Sequence, residues 1–161
     1  EKKPELQMIE WINNKFGTNF TENDLKNIKD FSLLWNIFEN LVCERNCTIN
    51  RIEENLNPIE FQIENFEDHL NYFKERYVAD NNTNERFENL RIVPNARKEF
   101  VKQVLLGNDN NTSNKTLALA IIVYRYRNNL FHGEKDFMLL NEQEENFSVA
   151  NQVLTSILTH F

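Results

Sequence analysis

The sequence predicts an all-α helical bundle, and three observations carry that expectation. Glycine and proline are scarce, three of each in 161 residues. So few breakers favour long helices over a turn-rich β-sandwich. Apolar residues recur at three- and four-residue steps through successive segments, which is the spacing of one helix face. No alternating apolar–polar run of useful length marks a strand. With 40 % hydrophobic and 27 % charged residues, the composition is that of an ordinary globular chain. Its length suffices for one core, so residues 1–161 read as a single all-helical domain.

Pro4 to Phe16 opens the chain. Proline suits the first turn of a helix, Leu6, Ile9, Trp11 and Ile12 supply apolar positions, and Gly17 is a stop. Thr21 and Asp24 form a capping box. Behind them Leu25, Ile28, Phe31, Trp35, Phe38, Leu41 and Val42 mark one face of a long helix over Glu22–Arg45. Trp11 and Trp35 both fit core positions. A polar stretch, Asn46 to Asn57, is loop or holds a short helix around Arg51 to Leu56. Pro58 then starts a helix to Val78, striped by Ile59, Ile63, Phe66, Leu70, Phe73 and Tyr77. His69 on that helix reads as a surface or half-buried residue, and the phenylalanine stripes read as core.

Asp80 to Asn84 is a turn, and a short helix holds Phe87 and Leu90. Pro94 opens a helix with Phe100, Val101, Val104 and Leu105 inward, ended by Gly107. The next helix starts near Ser113 or Thr116. From Leu117 to Tyr124 it is apolar all round, as a central helix must be when neighbours cover most of its sides. Gly133 is its natural stop. After Glu134-Lys135-Asp136 and a short apolar link, Phe147, Ala150, Leu154, Ile157 or Leu158, and Phe161 make a last amphipathic helix. His160 has no obvious partner.

Charge and cysteine usage bound the function. A net charge of −7 and a pI near 5.1 argue against a broad electrostatic grip on nucleic acid. They leave room for a small basic site inside an acidic shell. Cys43 and Cys47 lack a second pair of ligands with metal-site spacing. They read as two reduced thiols on one helix face in a cytoplasmic protein. No apolar run approaches the roughly 20 residues that span a bilayer. Phosphate-binding glycine loops and nucleophile elbows are absent, and no metal or cofactor is implied.

The most informative stretch ends the apolar helix: Tyr124-Arg125-Tyr126-Arg127-Asn128-Asn129-Leu130-Phe131-His132-Gly133. Charge placed at the end of a buried segment is either satisfied by a partner or kept for chemistry. An imidazole near its ordinary pKa can serve as general base or acid. An arginine stays protonated and clamps phosphate oxygens with fixed donors. An adjacent amide, Asn128, can donate to the phosphate or orient the imidazole. The plain alternative is a structural hydrogen-bond pair, with His132 closing a helix end at a gain of about 0.3–1 kcal/mol. Five residues turn an ideal helix by about 500°, so Arg127 and His132 stand roughly 140° apart on a straight one. Arg125, Asn128, Asn129 and His132 share one side if helicity persists. Arg125 is then either a second phosphate contact or an arginine paired with Glu134 or Asp136.

The phrase Arg127-Asn128-Asn129-Leu130-Phe131-His132-Gly133 resembles the Arg-x4-6-His motif of HEPN domains, an all-helical family of nucleotide-binding domains and metal-independent ribonucleases. The specific match covers about ten residues. The resemblance implies a HEPN-like core over 58–161, with 1–57 as a helical extension. It implies a metal-independent endoribonuclease with Arg127, Asn128 and His132 as catalytic residues, and with Arg125, Tyr126 and Asn129 holding RNA. It further implies a homodimer whose motif helices meet at a two-fold axis, in a toxin–antitoxin or antiphage setting with a possible antitoxin partner. Positive potential is expected in a cleft around Arg125 and Arg127, flanked by Lys115 or Lys135. A non-catalytic binding or dimerisation module and a nucleotide sensor are the competing expectations.

Overall fold

The computed structural model describes residues 1–131 and 144–161. These form an all-α fold: α1 Pro4–Phe16, α2 Glu22–Leu41, α3 Ile49–Leu56, α4 Glu67–Tyr77, α5 Glu85–Glu88, α6 Asn95–Leu105, α7 Thr112–Phe131 and α8 Glu144–Leu158. Two-residue strands β1 (Val78–Ala79) and β2 (Asn82–Thr83) join α4 to α5 as a small antiparallel hairpin. The expected Gly133 stop and the 134–140 link lie outside the described residues.

Local chemistry sets most boundaries. The Thr21 hydroxyl accepts the Asp24 amide, and the Asp24 carboxylate accepts the Thr21 amide at 2.8 Å. Two orphan donors at the start of α2 are thereby satisfied. Gly17 closes α1 at φ 65°, a left-handed position that suits glycine. Asp80 and Asn81 both take positive φ, 52° and 61°. That is the twist a two-residue hairpin requires, and Asp and Asn tolerate it best after glycine.

The core is one cluster running from Ile9 to Ile157. Helix α2 lies along α8, burying Phe31, Trp35 and Phe38 against a seam that includes Phe147, Ala150, Leu154 and Ile157. Helix α7 runs through the middle and touches α3, α4, α6 and α8. Leu117 to Val123 are all buried without a break. Each large side chain of that kind is worth about 1.5–3 kcal/mol on leaving water. Residues 1–57 are not a separate layer, because α2 packs on α8 and α3 on α7. Among the described residues no helix is long and apolar enough to cross a membrane.

Four expectations fail here. Pro58 does not start a helix: it follows the end of α3, where proline serves as a stop, and α4 begins only at Glu67 after a 3-10 turn at Ile63–Asn65. The link between them is held by Phe61, whose ring meets Phe66 at 5.5 Å and His160 at 4.8 Å. Trp11 is 62 % exposed, and Leu41 at the end of the α2 stripe is 52 % exposed. Helix α1 buries only Ile9, so Trp11, two residues on, faces outward. Cys43 and Cys47 are joined in a disulfide, where the sequence predicts reduced thiols on a helix face. Helix α2 stops at Leu41, and Glu44 and Arg45 take positive φ. The chain folds back there and brings the two Cα atoms to 4.9 Å, within bridging range.

Candidate functional site

The last two turns of α7 carry the polar motif, and each residue there faces a different neighbour. Successive helical residues are about 100° apart. Tyr124 turns toward α2, 6.0 Å from the Trp35 ring, with its hydroxyl 3.5 Å from the Cys47 carbonyl. Arg125 turns toward the segment after α5: its Nε donates to the Leu90 carbonyl at 2.7 Å. A second donor of Arg125 reaches Asn129 Oδ1 at 3.2 Å, one turn later. Tyr126 points into the core. Its ring lies 6.0 Å from Phe73 and 6.2 Å from Phe147, and its hydroxyl is bonded to that of Tyr77. The Arg127 guanidinium donates to Asn128 Oδ1 at 3.1 Å.

Two polar pairs therefore occupy one stretch of helix, Arg127 with Asn128 and Arg125 with Asn129. Arg127 is half-buried, whereas Asn128 and Asn129 are buried at 9 % and 2 % exposure. The Asn129 amide nitrogen is buried with no hydrogen-bond partner. A donor in that condition carries a desolvation cost of about 1–3 kcal/mol. His132 and Lys135 lie outside the described residues, as do Glu134 and Asp136, the carboxylates considered for Arg125.

Three placements correct the expected site. Tyr126 is 3 % exposed and offers no free face for a base to stack on. It joins α7 to α4 and α8. Arg125 and Arg127 leave the helix about 200° apart and have different acceptors, the Leu90 carbonyl and Asn129 for Arg125 and Asn128 for Arg127. Lys115, ten residues before Arg125 on the same helix, is about 15 Å back along its axis and does not flank the motif.

Sequence reasoning missed the residues that meet Tyr126. Tyr72 and Arg76, four apart on α4, share a face. The Tyr72 hydroxyl donates to Asn146 Oδ1 at the start of α8, and Asn146 is 2 % exposed. Burial pushes the Tyr72 hydroxyl up to about 12. Burial likewise raises Tyr77 and raises Tyr126 well above the usual phenol, so both stay protonated at neutral pH. The only hint in the sequence was Tyr77 in a stripe otherwise made of phenylalanine and aliphatic residues, with Tyr72 next to Phe73. Half-burial lowers His69 below the ordinary imidazole value, and its place matches the half-buried expectation. Elsewhere, a groove between α1 and α2 is rimmed by Lys3, Lys26 and Lys29 against Glu5, Glu22 and Asp30. Its charges cancel and it holds no favourable site for a polyanion.

No protein-family model matches the chain, and neither a curated protein nor a solved structure matches it.

Proposed function

We propose that the chain is a metal-independent endoribonuclease of the HEPN type. The observation that carries this is the Arg127–Asn128 pair, near the end of a helix buried without a break from Leu117 to Val123 and four residues before His132 in sequence. Arg127 supplies a permanent charge with fixed donors for a phosphate. Asn128, buried beside it, fixes the guanidinium and orients the site. His132 supplies the titrating group.

The step needs nothing further. His132 takes the proton of the 2′-hydroxyl as that oxygen attacks the neighbouring phosphorus. The P–O5′ bond breaks, and the leaving oxygen takes the proton back from the His132 imidazolium. The products are a 2′,3′-cyclic phosphate and a 5′-hydroxyl. Arg127 stabilises the extra charge on the phosphorane. With an acidic surface overall, the protein recognises RNA locally and gains little from its net charge. A homodimer bringing two motif helices together would complete the cleft. An antitoxin-controlled or antiphage role in the cytoplasm follows from the family resemblance. The Cys43–Cys47 bridge belongs to an oxidising compartment or to a redox-responsive cytosolic protein.

One observation favours a second reading. Arg125 is spent on the Leu90 carbonyl and on Asn129, which is structural work. A non-catalytic nucleotide-binding or dimerisation module would use the end of α7 that way. Labelled RNA, including structured RNA such as tRNA, incubated in chelator with wild type, Arg127→Ala and His132→Ala separates the two. The nuclease reading expects cleavage by wild type and none by either variant. Absence of cleavage by wild type favours the module, and binding of ATP or NAD without turnover favours a sensor.

A further inference from the structure

Beside the motif helix, on the far side of Tyr126, stands an arginine that the proposed reaction does not use. Arg76 closes the last turn of α4. It is half-buried, and its guanidinium carbon lies 5.7 Å from the centre of the Tyr77 ring. Its Nε is buried with no hydrogen-bond partner. None of the ion pairs among the described residues engages Arg76 or Arg86. A half-buried guanidinium without a carboxylate is costly unless an anion completes it.

The surroundings are built to hold it. The Asn84 side chain donates to the Arg76 carbonyl at 2.8 Å, and the Asn84 amide donates to the Tyr77 carbonyl at 2.9 Å. That clasp starts α5 against the end of α4, and the charge of Arg86, two residues later and exposed, bears together with that of Arg76 on Tyr72 and Tyr77. Tyr72, one turn before Arg76, is fixed by its bond to buried Asn146. Around Arg76 the donors are thus cationic or neutral. The acidic group bearing on Tyr72 is Glu145, which is exposed and screened by water.

We propose that Arg76, framed by Tyr72 and Tyr77 and joined by Arg86, is a phosphate-binding subsite. Two arginines at one end of the bundle match a phosphate better than a carboxylate: the guanidinium fork pairs with two oxygens, and the doubled charge suits a dianion or two successive phosphodiesters. The phosphate is one of an RNA strand whose scissile bond lies at the motif. For that source, though not for the subsite, the proposal rests on the ribonuclease reading.

The test reads binding without cleavage. The Nε–H resonance of Arg76 is followed in 15N-labelled protein during titration with inorganic phosphate, then with a 2′-O-methyl oligonucleotide that cannot be cut. Both are expected to shift it, the oligonucleotide at far lower concentration. Arg76→Gln, its fold checked by circular dichroism, is expected to weaken the oligonucleotide about tenfold and to reduce the salt slope by about one phosphate contact. A resonance that moves with neither ligand overturns the subsite, as does a folded Arg76→Gln with wild-type affinity and slope. A shift with phosphate alone supports the subsite and overturns its RNA source. Cleavage is scored separately on Arg127→Ala, so a protein that cuts no RNA can still show the subsite, and a nuclease can lack it.

Discussion

The two halves of α7 have opposite characters. From Leu117 to Val123 every side chain is buried and apolar, and each adds packing free energy with no directional demand. From Tyr124 to Asn129 the same helix carries five hydrogen-bonding side chains in a row counted from Arg125, several of them buried. Each needs a particular partner, and each unmet donor is costly. The first half shows what makes the fold stable. The second holds polar groups that stability alone does not explain, since an apolar stretch of the same shape would pack as well.

Substitution in the first half should break the fold and leave the chemistry. Leu119→Ala is expected to lower the unfolding free energy by about 2–5 kcal/mol, read by urea denaturation, with cleavage per folded molecule unchanged. A loss below about 1 kcal/mol would mean that the two halves are not distinct. Next in size is the Cys43–Cys47 bridge, which borders α3 and so the flank of α7. Closing so short a loop is worth about 2 kcal/mol in the chain-entropy model. Reduction with dithiothreitol is expected to lower the melting temperature accordingly, and an unchanged melt would show the bridge to be unformed.

Tyr126→Phe sharpens the comparison inside the second half. It removes the partner of the Tyr77 hydroxyl and is expected to cost about 1–2 kcal/mol while RNA affinity holds. If affinity falls and stability does not, Tyr126 belongs to the site after all. The smallest effect lies between α3 and α6. Arg97 forks onto Glu53 at 2.6 and 3.2 Å. That hydrogen bond first, and the charge of Arg97 with it, holds the Glu53 carboxyl below its ordinary 4.5 against the opposing effect of burial. A carboxylate depressed in the folded state stabilises it above the unfolded value and loses that contribution as pH falls through the folded one. With Glu53 42 % exposed, the term is below about 1 kcal/mol. Arg97→Ala should therefore lower stability by up to about 1 kcal/mol at pH 7, with the two proteins converging as pH falls below 4.5; an equal loss at pH 7 and pH 3 would contradict it.

The sequence was legible wherever one local rule decided the outcome. Thr21 with Asp24, Gly17, and Asp80-Asn81 announce a cap, a stop and a turn through chemistry spanning a few residues. The uninterrupted run from Leu117 announced a central helix because nothing else would hide it. What escaped notice depended on distant partners. Nothing near Arg125 in the chain points to Leu90, 35 residues away, and nothing near Tyr126 points to Tyr77. The spacing of Cys43 and Cys47 suits a helix face until Glu44 and Arg45 turn the chain. Trp11 was misplaced because helical spacing identifies an apolar stripe but not whether a neighbour arrives to cover it. Of the candidate site, the polar run at the end of α7 was legible, but Asn128, expected to serve a phosphate or the imidazole, instead accepts from Arg127, and neither that pairing nor the tyrosine–arginine cluster could be read from spacing.

The central claim is that the end of α7 is kept for chemistry. The direct measurement is metal-free cleavage of labelled RNA by wild type and Arg127→Ala, each with its unfolding free energy measured in parallel. The account predicts that the variant loses cleavage by a factor of roughly a hundred or more while stability falls by less than about 1.5 kcal/mol. Equal cleavage by the two proteins, or loss of activity only in step with loss of folded protein, would contradict it.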